Sequence, residues 1–491
     1  MPVLLAALWS AKSTAEPWLE VGSDAERSDL ELLSAYGLID GPLTTWPIPA
    51  GQLEKLNGSD ALIDEPVYVR AAADRIVKRL IGSGQPEGLR PEATLRGARN
   101  PDFVRGFEAA ARDEMDVSAG FVWDSYTVSG AIRGGEQAHL NQDGAQFAPD
   151  GTYVAALFGD WQVYGGWVDQ WYGPGWISSL ILSNNARPMP KAGLMRNHVS
   201  AFDLPILRWF GPWQFDTFVG LLDGPRVVAH TGYAAVRLTF EPIHNLEFGL
   251  TRTTELCGEG QQCNPGSAMF HFSNSSSSTN STNDEAAFDL RFQKRLGTTV
   301  VTPYFQLMNE DDGPFVHSYT SYLLGTSLAG AIGSDGSRWR FVAEYTDSVA
   351  ALNALDPGKK IYFASYNNYQ YIDGMRYRGR SLGFSLDSDS RLLSLMDQIT
   401  DAHGRTYRLV FHRADINVAP PAGALTYGGA GEPYSYNSVS SQPAMINEWE
   451  LGLSIPTHVL TFDISARYQN ALLQSEAGGR VDGEIDISYR F

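Results

Sequence analysis

The sequence predicts an all-β transmembrane barrel with a small α-helical domain on its N-terminal side. From about Met115 onward, apolar and polar residues alternate, which is the side-chain period of a β-strand. Before that point, apolar residues recur at three- and four-residue steps, as they do in helices. After the first dozen residues no apolar run approaches the roughly 17 to 25 residues of a membrane-spanning helix, so only a closed barrel could cross a bilayer.

The composition fits a folded chain with an unusual core. Aromatic residues make up 12% of the 491 residues and only 19% are charged, so most of the chain can bury apolar surface. The 37 Lys and Arg against 56 Asp and Glu give a net charge of -19. Nucleic-acid binding depends on clustered basic residues that neutralise phosphates, so a nucleic-acid partner is not expected.

Residues 1–15 are predicted to be an export signal. Pro2 to Trp9 is apolar, and Ser13, Thr14 and Ala15 are the small residues expected before a cleavage site, which puts the mature start near Glu16. The basic residues that usually lead such a signal are missing, so it is truncated or atypical.

The chain has two cysteines, Cys257 and Cys263, and their spacing predicts a short disulfide-closed loop in an oxidising compartment. The alternative is a pair of free thiols. With two cysteines and no nearby pair of histidines, a zinc site is not expected.

Residues 16–112 are predicted to form a helical bundle. Ser23 or Asp24 can cap a first helix that Gly37 ends, and its apolar residues recur at three-residue steps. A second helix begins past Asp64 and stops at Gly82. Its apolar stripe has four-residue spacing: Tyr68, Ala72, Ile76 and Leu80.

The strand pattern is clearest at the end of the chain. Ile485, Ile487, Tyr489 and Phe491 alternate with four polar residues, and the last residue is aromatic. The same alternation recurs in earlier segments: 234–241, 246–251, 288–292, 339–345, 449–455 and 460–468. A soluble β-sandwich would also alternate in this way.

Connection lengths favour the barrel over the sandwich. Pro456-Thr457 and residues 401–404 are tight turns, whereas 256–287 and 414–447 are long and rich in Gly, Ser, Asn and Pro. Outer-membrane barrels have short turns facing the periplasm and long loops facing outward.

At roughly 20 to 24 residues per strand with its connections, residues 113–491 allow about 16 to 18 antiparallel strands. A lumen this wide must be blocked or must conduct, and we expect residues 16–112 to be a periplasmic plug.

The sequence resembles the Wzi family of capsule assembly proteins over nearly the whole mature chain. The most specific likeness is Trp171-Tyr172-Gly173-Pro174-Gly175-Trp176, followed by residues 178–188. Further matching segments are spread along the chain: 17–22, 27–30, 45–49 and 383–391.

The resemblance implies an eighteen-stranded outer-membrane barrel with a periplasmic helical bundle. It also implies a protein that binds exported capsular polysaccharide at the cell surface as a lectin, without enzymatic activity or cofactors. The implied partners are the polymer, outer-membrane lipid and lipopolysaccharide, and the barrel assembly machinery, which would read the terminal Phe491.

Two groups of residues are candidate polysaccharide-binding sites. The first is Trp171, Tyr172 and Trp176 with Asn184, Asn185 and Arg187, because aromatic faces stack on sugar rings while amides and guanidinium groups bond to hydroxyls. The alternative is an aromatic girdle or a packed loop. The second is Arg376, Arg378 and Arg380, which would share one strand face and bind polymer carboxylates in the lumen. Its alternative is an internal salt-bridge ladder.

Other functions receive weaker support. Gly379-Arg380-Ser381-Leu382-Gly383 matches a hydrolase nucleophile pattern, but its flanks alternate as strand and no helix follows. Asp387, Ser388 and Asp389 begin like a calcium loop but lack its Gly and terminal Glu, so no metal is expected.

A channel for small anionic solutes, using the same arginines in an open lumen, is the main rival to the lectin. A surface hydrolase comes third.

Overall fold

A computed structural model describes most of the chain. The described residues are 16–56, 62–81, 88–124, 128–138, 146–263, 281–310, 318–428, 432–457, 459–471, 473 and 479–490. The predicted export signal and the terminal Phe491 lie outside them.

The main body is a closed antiparallel barrel of 18 strands, which confirms the predicted fold class. In chain order the strands are β1 (Gly88–Arg99), β2 (Met115–Asp124), β3 (Val128–Ala138), β4 (Gln146–Ala148 and Tyr153–Phe158), β5 (Trp161–Gly166), β6 (Lys191–Arg196), β7 (Trp213–Leu222), β8 (Thr231–Ile243), β9 (Leu246–Leu256), β10 (Thr282–Phe292 and Lys294–Leu296), β11 (Thr299–Glu310), β12 (Thr320–Ile332), β13 (Ser337–Ala351), β14 (Arg391–Thr400), β15 (Thr406–Ile416), β16 (Ala444–Pro456), β17 (Leu460–Gln469) and β18 (Arg480–Arg490). The barrel closes where β18 pairs with β1.

The strands are apolar outside and polar inside. In β14, Leu393, Leu395 and Ile399 are exposed on the outer face, whereas Ser394 and Gln398 are buried toward the lumen. This polarity is the reverse of a soluble barrel, whose apolar side chains fill the interior. An apolar outer band around a polar interior is the pattern of a barrel that spans a membrane.

The predicted boundary between the helical bundle and the barrel is wrong. The bundle was expected to extend to Arg112 and the barrel to begin at 113, but β1 already starts at Gly88. The outward positions of β1 include Pro91, Ala93 and Gly97 as well as leucines. The alternation of apolar and polar residues is therefore too weak to predict a strand here.

The N-terminal domain contains the two predicted helices, α1 (Asp24–Ala35) and α2 (Val67–Ile81), with a 3-10 helix at Ala50–Leu56. Ser23 caps α1, since its hydroxyl accepts a hydrogen bond from the Glu26 amide at 3.2 Å. The apolar stripe of α2 is buried, and it packs in one cluster with α1. Neither of these helices, nor any other in the described part of the chain, has the length and apolar character to cross a bilayer.

This helical domain contacts the inner wall of the barrel. Arg237 of β8 donates to the Asp289 carboxylate of β10 at 2.8 Å and to the Thr45 hydroxyl at 2.9 Å. Farther round the wall, Arg340 of β13 donates to Glu31 at 2.7 Å and to Ser28 at 3.0 Å. These pairs are buried, so the domain sits inside the lumen as a plug.

Short and long connections alternate around the barrel, as predicted. Connections 159–160, 244–245, 401–405 and the one after Pro456 are short and share one end, which we call the short-turn end. Connections at the opposite, long-loop end are 100–114, 167–190, 352–390 and 417–443 among others. The first residues of β1 lie at the short-turn end, so the helical domain enters the lumen from there.

A disulfide joins Cys257 and Cys263 at the long-loop end, directly after β9. The bond closes a loop with a sequence separation of 6. In the chain-entropy model such a short loop gains only about 2 kcal/mol from closure, which is little beside a barrel held by continuous strand pairing.

Replacing both cysteines with Ser is therefore expected to leave the barrel intact and to loosen only its outer loop. The temperature at which the purified protein loses its folded electrophoretic mobility should change by a few degrees at most. Protease cleavage near residue 260 should become faster. Unfolding of the whole barrel at a much lower temperature would contradict this expectation.

Candidate functional site

Two long loops fold into the lumen from the long-loop end and bind each other there. Loop A is residues 167–190, between β5 and β6, and loop B is residues 352–390, between β13 and β14. The Ser183 amide donates to the Leu382 carbonyl at 2.8 Å, and the Asn185 side chain donates to the Ser381 carbonyl at 2.8 Å. The Tyr366 hydroxyl donates to the Leu180 carbonyl at 2.6 Å. The two loops therefore form one layer across the barrel.

Glu344 fixes loop A to the wall. Its carboxylate, on the inner face of β13, accepts hydrogen bonds from the amides of Trp176 at 2.7 Å and Ser178 at 2.7 Å, and from Ile177 at 3.2 Å. The Tyr304 hydroxyl donates to the same carboxylate at 2.8 Å. The buried Glu344 side chain thus accepts hydrogen bonds from three successive amides, in an irregular segment whose amides are not paired with a strand.

Other inward side chains repeat this arrangement. Gln306 of β11 accepts from the Leu180 amide at 2.8 Å and donates to the Tyr172 carbonyl at 2.9 Å. Asp216 of β7 accepts from the Tyr172 hydroxyl at 2.6 Å. The polar inner face of the barrel therefore serves as a set of fixed partners for loop A.

Loop A also meets the plug. Arg27 of α1 donates to the carbonyls of Gly175 at 2.7 Å and Pro174 at 2.6 Å, and its guanidinium lies 4.5 Å from the centroid of the Trp176 ring. Trp171 and Tyr172 pair as a short strand with Trp46 and Thr45 of the plug. The lumen is thus crossed by the plug from one end and by the loops from the other.

The first group of predicted site residues lies within this packing. Trp171, Tyr172, Trp176, Asn184 and Asn185 are all at most 4% exposed. Asn184 donates to the Phe107 carbonyl at 3.1 Å. Arg187 is partly buried in an ion pair with Asp150 at 2.9 Å. The packed-loop alternative describes their surroundings, and their contact with polymer stays a prediction.

The predicted arrangement of the three arginines is wrong. They do not share one strand face, because Arg376-Tyr377 pairs with Arg380-Ser381 in a tight hairpin within loop B. Arg378 and Gly379 form its two-residue turn, both with positive φ, at 50° and 78°. Two-residue turns of this kind require positive φ at both central positions. A sequence period of two continues through such a turn, so alternation alone did not reveal it.

Each arginine has a different environment. Arg376 forms a bidentate ion pair with Asp387, at 2.6 and 2.7 Å, and both side chains are buried. Arg380 donates to the Arg112 carbonyl at 2.9 Å. Arg378 pairs with Asp223 at 3.2 Å, and its side chain is 29% exposed. The internal salt-bridge alternative therefore describes Arg376, whereas Arg378 lies at the outer surface.

Two exposed tyrosine rings lie on loop B or against it, and loop B also carries Arg378. Tyr436 is 37% exposed, its ring covers Arg376 at 4.2 Å, and its hydroxyl donates to the Asp373 carbonyl at 3.1 Å. Tyr369, on loop B, is 54% exposed. We call Tyr369, Tyr436, Arg378 and Asp223 the outer patch. Sequence reasoning missed both tyrosines, because an isolated Tyr in a polar loop carries no periodic signal.

The residues considered for catalysis and calcium are engaged within the protein. Ser381 is 1% exposed, and its hydroxyl accepts from the Gly383 amide at 3.2 Å. The structure also brings together a pair that sequence did not suggest, Ser394 and His412, whose side chains are 2.8 Å apart. Both are buried in the barrel interior, at 1% and 4% exposed, out of reach of a polymer.

Asp387 and Asp389 hold loop B together. The Asp387 carboxylate pairs with Arg376, and the Asp389 carboxylate accepts from the Phe363 amide at 2.9 Å. Burial raises the pKa of Asp389 to about 7, although the Phe363 amide opposes that shift.

One group of three carboxylates was missed by the sequence analysis. Asp102, Glu448 and Glu450 are buried, and one oxygen from each lies within 4.8 Å of the others. Arginines balance this group, since Arg408 donates to Glu450 at 2.5 Å and Arg467 lies 3.9 Å from Asp102. Burial raises the pKa of Asp102 to about 6, against the effect of Arg467. The arrangement is an ion network between the 100–114 connection and the wall.

The geometry defines a class of protein, namely a transmembrane β-barrel of the outer-membrane type whose lumen holds a helical plug and inward loops. Comparison with known families then gives the family. The family model described as "Capsule assembly protein Wzi" matches residues 88–397, more than half of the chain. The chain belongs to this family.

One curated protein and one solved structure are also similar to this chain. A Klebsiella pneumoniae protein described as an uncharacterized 55.8 kDa protein in the cps region is 27% identical over 343 residues, covering 67% of this chain. The alignment spans 65% of that relative, slightly less than two thirds of its length. A solved structure described as Wzi, an outer membrane carbohydrate-binding β-barrel involved in group 1 capsule assembly in Escherichia coli, is similar with a TM-score of 0.79. It is 22% identical, and the similarity covers 96% of this chain and 99% of that one.

Removing the Glu344 carboxylate is expected to free loop A while the barrel stays closed. In Glu344→Ala, the amides of residues 176–178 lose their acceptor, and an unsatisfied buried donor costs about 1 to 3 kcal/mol. Hydrogen exchange at these amides should therefore accelerate by roughly 10- to 100-fold. Glu344→Gln keeps one acceptor oxygen and should show a smaller change.

The matched control is Glu432→Ala, which removes an exposed carboxylate from another loop at the long-loop end. It should leave exchange at 176–178 as it is in the native protein. Unchanged exchange in Glu344→Ala, in a barrel that keeps its folded mobility, would show that Glu344 does not hold loop A.

Proposed function

We propose that this protein binds capsular polysaccharide at the outer face of the outer membrane and helps to retain the capsule there. The observation that carries the proposal is the construction of the long-loop end. Loops A and B are fixed to each other and to the wall. Loop B carries Tyr369 and Arg378 of the outer patch, and Tyr436 of the 417–443 connection packs on loop B. Family membership and the carbohydrate-binding activity described for the solved E. coli relative support the same conclusion.

The outer patch has the chemistry that an acidic polysaccharide requires. Exposed tyrosine faces can pack on sugar rings, and Arg378 can bind a uronic acid carboxylate in a bidentate manner. Asp223 neutralises Arg378 in the protein alone, at 3.2 Å. A polymer carboxylate would compete with Asp223, so each contact should be weak and sensitive to salt.

Weak contacts are sufficient because the ligand repeats. A polymer with many identical units can bind several barrels in one cell surface at once, and the second contact is favoured by a high effective concentration. We therefore expect retention to depend on polymer length more than on any single side chain. Short oligosaccharides should bind much less tightly than long chains.

The anion channel is the second candidate, and the internal layers argue against it. A channel needs a continuous solvated path, but loop A packs in the lumen against both α1 and the Trp46 strand. Arg376 would have to attract anions in a channel, yet it is already neutralised by Asp387. The same purified protein distinguishes the two functions, because a channel conducts ions in a planar bilayer and a plugged lectin does not.

Truncating the outer patch is expected to weaken polymer binding. Arg378→Ala and Tyr436→Ala should each reduce affinity for purified acidic capsular polymer by about 1.4- to fivefold, because exposed contacts contribute about 0.2 to 1 kcal/mol. The loss in Arg378→Ala should shrink at high salt. Binding is measured to immobilised polymer with the barrel in detergent.

Matched controls lie at the short-turn end. Arg405→Ala removes an exposed guanidinium from a periplasmic turn, and Tyr407→Ala removes a half-exposed ring from the outer face of β15. Both should bind polymer as the native protein does. Equal losses in the controls, or steady ion conductance by a barrel that ignores the polymer, would rule out the proposed function.

In cells, loss of the protein is expected to leave polymer synthesis and export running while the capsule attaches less firmly. Cell-bound polymer should fall and polymer in the medium should rise, with the total conserved. The measurement is the uronic acid content of washed cells and of the supernatant. Absence of polymer from both fractions would instead indicate an export component.

A further inference from the structure

One connection at the short-turn end differs from the others. Between Arg196, the last residue of β6, and Trp213, the first of β7, the chain runs through residues 197–212, which include a 3-10 helix at Leu207–Phe210. Connections 159–160 and 244–245 at the same end have two residues, and 401–405 has five. Two adjacent strands can be joined by a much shorter connection than this one. We call residues 200–212 the rim segment.

The rim segment folds over the rim onto the outside of the barrel. The Phe202 ring stacks on Trp213 with centroids 4.4 Å apart, and the Phe210 ring packs edge-on against Phe240 at 5.0 Å. Trp213 and Phe240 alternate with buried Gln214 and Thr239, so they face outward. The segment is therefore attached to the outer surface and not to the lumen.

These contacts extend an existing row of aromatic rings. Phe240 stacks on Phe248 at 5.4 Å, and Trp161 packs against Trp213 at 6.2 Å. Outer-membrane barrels have such girdles of aromatic side chains where the apolar band meets the membrane interface. The rim segment thus lies beside the girdle of the short-turn end, which faces the periplasmic leaflet.

The segment is held in a defined position. Arg196 lies 3.9 Å from the centroid of the Trp213 ring and donates to the Ser200 carbonyl at 3.0 Å and hydroxyl at 2.8 Å. Gly211 has a φ of 66°, and a Cβ there would lie 1.9 Å from the Glu241 carbonyl oxygen. Only glycine allows this close approach of the segment to β8.

The far side of the rim segment presents large apolar side chains. Leu204 is 61% exposed, and Ile206 and Trp209 are each 82% exposed. Exposed clusters of large apolar residues mark an interaction surface. Because Phe202 and Phe210 of the same segment pack on outward-facing rings of the barrel, the partner of these apolar side chains should be the same membrane. Trp209 next to the charged Arg208 is the combination that membrane interfaces favour.

We infer that the rim segment is a membrane anchor, whose Leu204, Ile206 and Trp209 insert into the interfacial region of the periplasmic leaflet. Its partner is phospholipid, with the acyl chains taking the apolar side chains and a phosphate accepting from Arg208. The start of the same connection touches the plug, since the Gly51 amide donates to Asn197 at 3.3 Å. The connection therefore joins the plug to the membrane surface across the rim.

Site-directed spin labelling tests the anchor in the full-length protein. The two native cysteines form a disulfide, so one added cysteine can be labelled selectively. Trp209→Cys is compared with two controls in nanodiscs of phosphatidylethanolamine and phosphatidylglycerol. Leu324→Cys lies on the outer face of β12 and reports lipid, and Asp335→Cys lies in an exposed turn at the short-turn end and reports water.

Two collision rates are measured for each label, one with oxygen, which concentrates in lipid, and one with a water-soluble nickel chelate. The readout is the ratio of the oxygen rate to the nickel rate. For Trp209→Cys this ratio should exceed the Asp335→Cys value at least threefold and approach the Leu324→Cys value. Ile206→Cys should give the same result, and because both native side chains are exposed, neither substitution removes core packing. Ratios equal to that of Asp335→Cys at both positions would overturn the anchor and leave a soluble periplasmic protein as the partner of this surface.

Discussion

The structure depends on one recurring interaction, in which a carboxylate on the inner wall of the barrel accepts hydrogen bonds from the amides of an irregular segment. An eighteen-stranded barrel leaves a wide lumen, and the chain that fills it is mostly neither helix nor paired strand. Its buried amides would each cost free energy without an acceptor. The wall glutamates supply these acceptors to the plug, to the 100–114 connection, to loop A and to loop B: Glu241, Glu247, Glu484, Glu344 and Glu310.

This interaction explains why the inner face of the barrel is charged although little of it faces solvent. Glu247 accepts from the amides of Leu43 and Thr44 at 3.1 and 2.9 Å, while Arg291 lies 3.9 Å away and offsets its charge. An acceptor that is both charged and buried needs such a cation, since an unpaired buried carboxylate would be strongly unfavourable. The alternating Glu, Asp and Arg of the strands therefore form a lattice of acceptors and counter-charges.

The same lattice sets the limits of what the sequence could predict. Strand alternation, helix spacing and connection lengths act over neighbouring residues, and they gave the barrel, α1, α2 and the two ends. The place of loop A depends on partners such as Glu344 and Arg27, which lie far away in sequence. The sequence therefore left open whether the aromatic residues of loop A form a binding surface or a packed loop. The sequence did not predict the Arg378-Gly379 turn or the start of β1, and the reason is local. Small or turn-forming residues such as Gly379, Ala93 and Gly97 are compatible with both a helical and a strand period.

A plugged barrel is well suited to hold a polymer without moving it. Loops A and B cannot adapt freely, because both are fixed to the wall, so under the proposed function binding a repeating ligand should cost little ordering entropy in these loops. The weak contacts that we propose at Arg378 and Tyr436 would then be multiplied along the polymer, which requires many barrels that stay in place in the membrane. Under the proposed function, the filled barrel is a platform, and its large diameter gives area for loops at the outer surface.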